Sequence, residues 1–165
     1  MIIINNYGYL TYKKLKFRCS LGKAGIGDKM REGDNITPNG IFKIIKVYYR
    51  NDRIKNIKSN FNLIKINKTM GWCNDYKSRY YNRQIKLPSK FGHEKLFRKD
   101  NLYDLICVLN FNNNPTIKKK GSAIFIHISR KKYKATSGCI GLTKNNLIKL
   151  LRILKKDTKI KIIKN

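Results

Sequence analysis

Acidic residues are scarce in this chain, which has 9 Asp and Glu against 38 Lys and Arg over 165 residues. The formal net charge of +29 disfavours cationic partners and favours anionic ones, such as nucleic acid, a membrane surface or a carboxylate-rich cell-wall polymer. The 29 Lys and 9 Arg are spread along the whole chain among many Ile and Asn. Lys, Ile and Asn all have A/T-rich codons. A genome-wide bias towards A and T therefore explains the composition about as well as a selected binding face does.

Long apolar runs are also missing. Apolar runs such as residues 2–4 and 123–126 are far short of the ~20 residues that a membrane-spanning helix needs, so we expect no transmembrane segment. Residues 1–7 have neither the basic nor the apolar region of a signal peptide, so we expect the usual export signal not to be encoded in this chain. No repeat or linker interrupts the sequence, and we expect one domain over residues 1–165.

Cysteine pairs at metal-binding or redox spacing are absent as well. The four cysteines contain no Cys-x-x-Cys pair, which argues against a zinc ribbon or a thioredoxin-type motif. Two disulfides remain arithmetically possible. Cys19 and Cys107 lie within apolar runs and are predicted to be small buried hydrophobic residues, whereas Cys139 has different neighbours.

The residues that are present favour a mainly β fold. Short apolar stretches bounded by Gly, Pro, Asn and Asp recur from the first residue to about residue 128, which is typical of strands joined by turns. Alternation within these stretches, as in Leu15, Phe17 and Cys19, supports the same interpretation. The predicted strands are residues 9–12, 14–20, 41–49, 62–66, 104–111 and 122–129, with a terminal strand at 158–163.

One amphipathic helix is predicted near the C-terminus. Thr143 is a suitable N-cap, and Leu147, Leu150, Leu151 and Leu154 follow at the spacing i, i+3, i+4 and i+7 that makes one apolar stripe. Such a stripe indicates packing against the core.

A histidine and a cysteine near the C-terminus are the candidates for chemistry. His127 lies in a predicted strand, and Cys139 follows twelve residues later, directly after Gly138. An imidazole that accepts the thiol proton would lower the pKa of the cysteine by stabilising the ion pair. A glycine beside the nucleophile lets the backbone turn sharply and present N–H groups to a carbonyl oxygen. Taken alone, the pair also fits a buried structural histidine and a buried packing cysteine.

The surrounding motif resembles the active site of the L,D-transpeptidases, the YkuD-type catalytic domain. The motif is His127, a basic stretch and then Thr-Ser-Gly-Cys-Ile-Gly-Leu at residues 136–142. The resemblance covers nearly the whole chain, which is similar to a compact proteobacterial branch of that family. Its other motifs are residues 33–42, 71–75, 81–83, 93–94, 103–104 and 121–127.

The resemblance implies a fold and a mechanism. The fold would be a β-sandwich or barrel with one or few helices, including the helix after the cysteine. Cys139 would be the nucleophile and His127 the base, with the N–H groups of Gly138 and Cys139 cradling the oxyanion. The thiolate would attack the carbonyl of the L-centre of a peptidoglycan stem peptide and form a thioester, which an amine of a second stem then opens. Because the thioester conserves the energy of the amide, neither a nucleotide cofactor nor a metal is expected.

Substrate-binding positions also follow from the resemblance. Thr136 and Ser137 precede the nucleophile, and His93, Arg83 and Trp72 fall in the other motifs; all five are predicted to line the substrate site. A surface role for His93, a solvated turn for Arg83 and core packing for Trp72 are the alternative interpretations.

The sequence departs from the broader family pattern at three positions. Ile128 follows the histidine where Gly is common, Thr136 replaces the usual Ser, and Gly141 occupies the position of a frequent Arg. Any role of that guanidinium must be supplied elsewhere or be absent, and Arg83, Arg130 and the lysines are possible substitutes.

Several functions compete with L,D-transpeptidation. A carboxypeptidase or amidase would hydrolyse the same thioester, and a sortase-like enzyme would need a longer His-to-Cys separation and a downstream strand Arg. Charge alone supports a small basic nucleic-acid-binding protein. We expect a monomer in the periplasm or cell envelope, acting on stem peptides without obligatory nucleic acid, although the lack of a visible signal peptide also fits the cytoplasm.

Overall fold

The computed structural model describes residues 1–164, and its backbone is mainly β. Two five-stranded sheets form most of it. The first sheet contains β1 (Ile2–Asn5), β2 (Tyr9–Tyr12), β3 (Leu15–Arg18), β6 (Gly40–Phe42) and β15 (Ile160–Ile163), in the order β3-β2-β1-β15-β6. Because β1 runs parallel to β15, the two ends of the described chain lie side by side in one sheet.

The second sheet carries the region of the candidate site. It contains β7 (Ile44–Tyr49), β8 (Leu63–Lys65), β12 (Leu105–Leu109), β13 (Phe125–Ile128) and β14 (Ile140–Leu142), in the order β14-β13-β12-β7-β8. Every residue of β12, β13 and β14 is buried, so this part of the sheet is covered on both faces.

Two small sheets complete the β-structure of residues 1–164. One contains β9 (Met70–Cys73), β10 (Gln84–Lys86) and β11 (His93–Lys95), in the order β10-β9-β11. The other pairs β4 (Ile26–Gly27) with β5 (Thr37–Pro38) in parallel.

The helix confirms its prediction. Helix α1 (Lys144–Ile153) begins after Thr143, whose side chain accepts a hydrogen bond from the Asn146 N–H at 3.3 Å. Leu147, Leu150 and Leu151 are buried, as the apolar stripe indicated. A single 3₁₀ turn at Lys131–Tyr133 is the other helical element of residues 1–164, and none of these residues forms an apolar helix long enough to span a membrane.

Apolar clusters cover both faces of the second sheet. The larger one fills the space between the two five-stranded sheets and α1, with Ile4, Leu105, Ile126 and Leu150 among its members. On the other face of the second sheet, a smaller cluster packs against the β9-β10-β11 sheet and includes Trp72, Leu96, Tyr103, Ile106 and Phe125. The candidate site lies on the side of the smaller cluster.

Most predicted strands are present with shifted bounds. Residues 9–12 match β2, and the strands predicted at 14–20, 62–66, 104–111, 122–129 and 158–163 are each shorter in the structure. The stretch 41–49 is two strands, β6 and β7, which belong to different sheets. Cys19 and Cys107 are buried, as predicted, and all four cysteines are unpaired.

Candidate active site

His127 is positioned by the alternation of strand β13. Ile126 and Ile128 point into the sandwich core, so Phe125 and His127 point to the opposite face. The histidine is 4% exposed, and its Nδ1 lies 2.9 Å from the carbonyl oxygen of Ile128. Because a carbonyl oxygen can only accept, Nδ1 carries the proton and Nε2 is left as an acceptor.

Burial sets the charge of this imidazole. Desolvation lowers the pKa of His127 to about 4, so the ring is neutral at neutral pH. The ring of Tyr103 packs edge-on against it, with 5.5 Å between the ring centroids. The site therefore holds a neutral base with a fixed tautomer and orientation.

The residue before Cys139 is in a tight turn whose backbone conformation requires glycine. Gly138 has a φ of +133°, and a Cβ atom there would approach the carbonyl oxygen of Ile36 to 2.7 Å. The Thr136 hydroxyl donates to the carbonyl oxygen of Cys139 at 2.6 Å and accepts from the Gly138 N–H at 3.1 Å. Thr136 keeps the hydroxyl of the Ser that the resemblance implies at this position, and this hydroxyl stabilises the turn through both hydrogen bonds.

Strand pairing brings this turn beside the histidine. Cys139 directly precedes β14, which runs parallel to β13 with Ile140 opposite Ile126 and Gly141 opposite His127. The histidine on β13 and the cysteine directly before β14 are thus brought to the same part of one sheet.

Backbone groups surround the thiol of Cys139. Its Sγ lies 3.0 Å from the carbonyl oxygen of Ala123, to which it donates, and 3.4 Å from the Phe125 N–H, from which it accepts. Burial raises the pKa of Cys139 to about 12, and the Glu94 carboxylate acts in the same direction. The Phe125 N–H and the Lys29 charge oppose this rise without reversing it.

The expected ion pair between imidazole and thiol is not the resting state. No hydrogen bond joins His127 and Cys139 within residues 1–164, and burial disfavours the charged form of both side chains. At neutral pH the cysteine is therefore a thiol and the histidine an uncharged imidazole. The prediction that the pKa of Cys139 is lowered is therefore wrong for this structure, because desolvation raises it.

One cavity joins the candidate residues. Both His127 and Cys139 line a cavity of about 770 Å³ that opens to solvent. Its volume is in the range of small-molecule and peptide sites. Other residues of its wall, drawn from several loops and from β11, are Lys23, Lys29, Glu32, Glu94, Arg98, Tyr103, Arg130, Lys134, Thr136 and Ser137.

Three of the predicted substrate-binding residues do not line this cavity. Trp72 is a core residue, 2% exposed, with its ring edge-on to Phe125 at 5.2 Å. Arg83 is exposed and lines a separate pocket of about 340 Å³. His93 is half-buried, with Nδ1 2.6 Å from the carbonyl oxygen of Phe91. Of the five predicted residues, Thr136 and Ser137 line the cavity.

The glycine at position 141 has a structural reason. Gly141 and Ser20 exchange two backbone hydrogen bonds of 2.9 and 3.0 Å. A Cβ atom on Gly141 would approach the Ser20 Oγ to 2.2 Å and the Ser129 Cβ to 3.1 Å. A side chain at 141 would therefore have to displace the Ser20 hydroxyl and crowd Ser129, which favours glycine over the Arg that the resemblance implies there; Arg130, one of the proposed substitutes, lines the cavity.

A buried ion pair that the sequence interpretation missed supports one wall. The Lys29 ammonium lies 2.5 Å from the Asp34 carboxylate, and both side chains are buried. Asp34 also accepts from the N–H groups of Ile36, Arg31 and Met30, and the Lys29 ammonium together with these donors lowers the pKa of Asp34 despite its burial. Asp34, the acidic residue within the 33–42 motif, was the available signal in the sequence for this ion pair, which fixes the loop.

Glu94 and Tyr103 were also missed as site residues. The Tyr103 hydroxyl donates to the Glu94 carboxylate at 2.6 Å, and burial raises the pKa of Tyr103. Both residues belong to the short motifs at 93–94 and 103–104, which were the available signal. Residues 1–164 contain no cluster of three His, Cys, Asp or Glu side chains that could hold a metal ion.

The fold and the cavity define a β-sandwich protein with a cysteine and a histidine on one cavity wall. A family model described as the L,D-transpeptidase catalytic domain, YkuD, matches residues 3–162. The chain therefore belongs to the YkuD family and is an enzyme of the L,D-transpeptidase kind, a family that acts on peptidoglycan stem peptides at the cell envelope. A search of curated proteins found no match.

Proposed function

We propose that the chain is a peptidoglycan L,D-transpeptidase, with Cys139 as nucleophile and His127 as general base. The observation that carries this proposal is that both side chains line one cavity, His127 from β13 and Cys139 from the residue directly before the parallel neighbour β14. The fixed tautomer of His127 supports it further, because the unprotonated Nε2 is the nitrogen that can accept a thiol proton.

In the first half-reaction, the thiol of Cys139 leaves its hydrogen bond to Ala123 and gives its proton to His127 Nε2. The sulfur attacks the carbonyl carbon of the L-centre in a donor stem peptide as this proton moves. The carbon–nitrogen bond then breaks, and His127 returns the proton to the departing D-amino acid. The acyl group remains on Cys139 as a thioester.

Backbone N–H groups of the nucleophile turn are proposed to stabilise the oxyanion. The Gly138 N–H donates to the Thr136 hydroxyl at 3.1 Å and would exchange this neutral acceptor for the charged oxygen. A developing negative charge is a stronger acceptor than a hydroxyl, which favours that exchange in the transition state.

In the second half-reaction, an amine of a second stem attacks the thioester. The amine gives its proton to His127, and this proton returns to the sulfur as the thioester bond breaks. Water in place of the amine would give the hydrolytic reaction of a carboxypeptidase, so the outcome depends on how well the bound acceptor excludes water.

We extend this proposal to the domain organisation, oligomeric state, location and cofactor needs of the enzyme. Residues 1–165 form one L,D-transpeptidase catalytic domain that works as a monomer in the periplasm. It needs no nucleotide cofactor, because the thioester conserves the energy of the cleaved amide, and it acts without a metal or nucleic acid.

Covalent trapping tests the nucleophile. A carbapenem should acylate the purified protein through its ring carbonyl and add its mass to the intact protein. Cys139→Ala should abolish the adduct, whereas Cys73→Ala, which removes a buried thiol outside the cavity, should retain it. An unmodified wild-type protein with a reduced Cys139 would overturn the proposal.

Defined muropeptides then separate transfer from hydrolysis. Incubation of the enzyme with a donor and an acceptor stem should give a cross-linked product detectable by mass. Release of the D-amino acid without a cross-linked product would instead identify the hydrolase.

A further inference from the structure

Glu94 is a fixed carboxylate at the wall of the active-site cavity. It lies on β11, opposite Trp72 of β9, and lines the same cavity as Cys139 and His127. The Tyr103 hydroxyl donates to its Oε2 at 2.6 Å. Because the Tyr103 ring also packs against His127, one tyrosine holds the position of the carboxylate relative to the candidate base.

No cation of the described chain lies within ion-pair distance of this carboxylate, and the charge of Arg98 acts on it only from farther away, where Glu94 contributes to the raised pKa of Arg98. The ion pairs within residues 1–164 use the carboxylates of Asp34, Asp52, Asp100 and Asp104, and none includes Glu94. Arg98 lines the same cavity, but its guanidinium donates twice to Asp100, at 2.8 and 2.7 Å. Glu94 is thus oriented by a neutral donor and remains available for a positive group.

An unpaired carboxylate at this position works against the nucleophile. Glu94 contributes to the raised pKa of Cys139, since a nearby negative charge disfavours the thiolate. A cation that binds to Glu94 removes this repulsion. The cation therefore has to arrive with the substrate if the carboxylate is to assist the reaction.

We propose that Glu94 binds the primary ammonium group of a diamino-acid residue in a stem peptide. This inference rests on the proposed function. Lys23, Arg130 and Lys134 give much of the remaining wall a positive charge, which suits the carboxylates of the same peptide.

Glu32 also lines the cavity and is held by Tyr81. Glu94, however, is held by Tyr103, whose ring packs against His127, so Glu94 is the carboxylate fixed beside the candidate base. The ammonium has two sources, the side chain of the donor stem and the amine of the acceptor stem. An acceptor that binds as the ammonium loses one proton to solvent before its nitrogen attacks the thioester, and the neutral amine then reacts as described above.

The donor arm of the test measures the first half-reaction. Release of the terminal D-amino acid is followed with a synthetic donor stem whose side-chain amine is free, and with the same stem N-acetylated. If the donor supplies the ammonium, wild-type enzyme should use the free-amine donor at least about tenfold faster, and Glu94→Gln should lose this preference.

The acceptor arm measures the second half-reaction. The acyl-enzyme is formed with a donor, and its aminolysis is followed over a range of acceptor stem concentrations. If the acceptor supplies the ammonium, Glu94→Gln should raise the acceptor concentration needed for half-maximal rate by about tenfold or more.

Two further variants keep the result interpretable. Tyr103→Phe retains the ring beside His127 but removes the hydroxyl that holds Glu94, and it should lose part of the same preference. Glu32→Gln removes a second cavity carboxylate that also accepts from a tyrosine hydroxyl, that of Tyr81 at 2.7 Å. It should keep the preference, because Glu32 is not among the charges acting on Cys139.

The outcomes distinguish this inference from the proposed function. Carbapenem acylation of Glu94→Gln shows that the variant is folded and has its nucleophile. Loss of the amine effect in either arm supports the inference and identifies the source of the ammonium. An unchanged amine effect in both arms overturns it while the proposed function stands, whereas absence of acylation in wild type overturns the proposed function.

Discussion

Desolvation keeps both candidate catalytic side chains uncharged. It disfavours the imidazolium of His127 and the thiolate of Cys139, so both side chains are uncharged at rest. The thiol proton is held by the carbonyl oxygen of Ala123. In the proposed mechanism, activation therefore takes place by transfer of the proton to His127 when the substrate is bound, instead of through an ion pair formed in advance.

Alkylation by iodoacetamide tests this charge state. Because the pKa of Cys139 is raised to about 12, its thiolate fraction lies on the rising side of the titration curve at all moderate pH values. The alkylation rate should increase about tenfold per pH unit from about pH 6 to about pH 9. Peptide mapping of the modified site provides the measurement.

The control for this profile is Cys139→Ser, which reports alkylation of the other three cysteines. A rate that levels off below about pH 8 would show that the thiolate already exists at neutral pH, as in an ion pair with His127.

At the scale of elements, the turn before β14 depends on one hydroxyl. Thr136 bonds to Cys139 O and Gly138 N, and its own N–H donates to the Leu21 carbonyl at 2.8 Å. The turn is thereby attached to a second segment of the chain. The orientation of the nucleophile is a property of this turn as a unit.

Two variants of Thr136 should separate the effect of its hydroxyl hydrogen bonds on acylation from the effect of its side-chain volume. Thr136→Val removes both hydroxyl hydrogen bonds at nearly constant volume and should slow carbapenem acylation of Cys139 by about tenfold or more. Thr136→Ser keeps the hydroxyl and should acylate at close to the wild-type rate. Time-resolved intact mass provides both rates, and equal slowing by the two variants would contradict a role for the hydroxyl.

The contact between Ser20 and Gly141 should show coupling in a double-mutant cycle. Gly141→Ala places a Cβ against the Ser20 Oγ, and overpacking of this kind lowers the free energy of unfolding by about 1–3 kcal/mol. Ser20→Ala removes a buried hydroxyl that has no partner in residues 1–164, so this change should be close to neutral. In the double variant, the alanine at 141 should be better tolerated.

Urea unfolding of the four proteins in this cycle gives the interaction energy. Strictly additive effects would show that the Ser129 side of the site, rather than Ser20, limits the space at position 141.

At the scale of the whole molecule, the net charge of +29 acts separately from the chemistry. The basic residues that line the cavity are a small part of the 38 in the chain. Most of the positive potential therefore attracts polyanions in general and contributes little to the attack of one thiol on one carbonyl.

Salt should separate these two properties. Binding of the protein to duplex DNA, taken as a general polyanion, should fall steeply between about 50 and 200 mM salt because bound counterions are released. The rate of Cys139 acylation by a small electrophile should change by less than about twofold over the same range. Fluorescence anisotropy and intact mass measure the two quantities, and a parallel fall in both would contradict their independence.

Local sequence signals determined much of this molecule. The Leu147 to Leu154 stripe and the Thr143 cap predicted α1 because both signals lie within one helix. The alternation around Phe17 predicted β3 for the same reason. The site motif placed Cys139 and His127 together because parallel β13 and β14 are close in the chain as well as in space.

The tertiary structure alone decided the rest. The stretch 41–49 divides between two sheets because its partners, β15 and β12, are distant in sequence. Adjacent strand residues point to opposite faces, so the position of β11 brings Glu94 into the cavity wall and leaves His93 out of it. The raised pKa of Cys139 likewise comes from burial, which long-range packing creates and which no neighbouring residue in the sequence reveals.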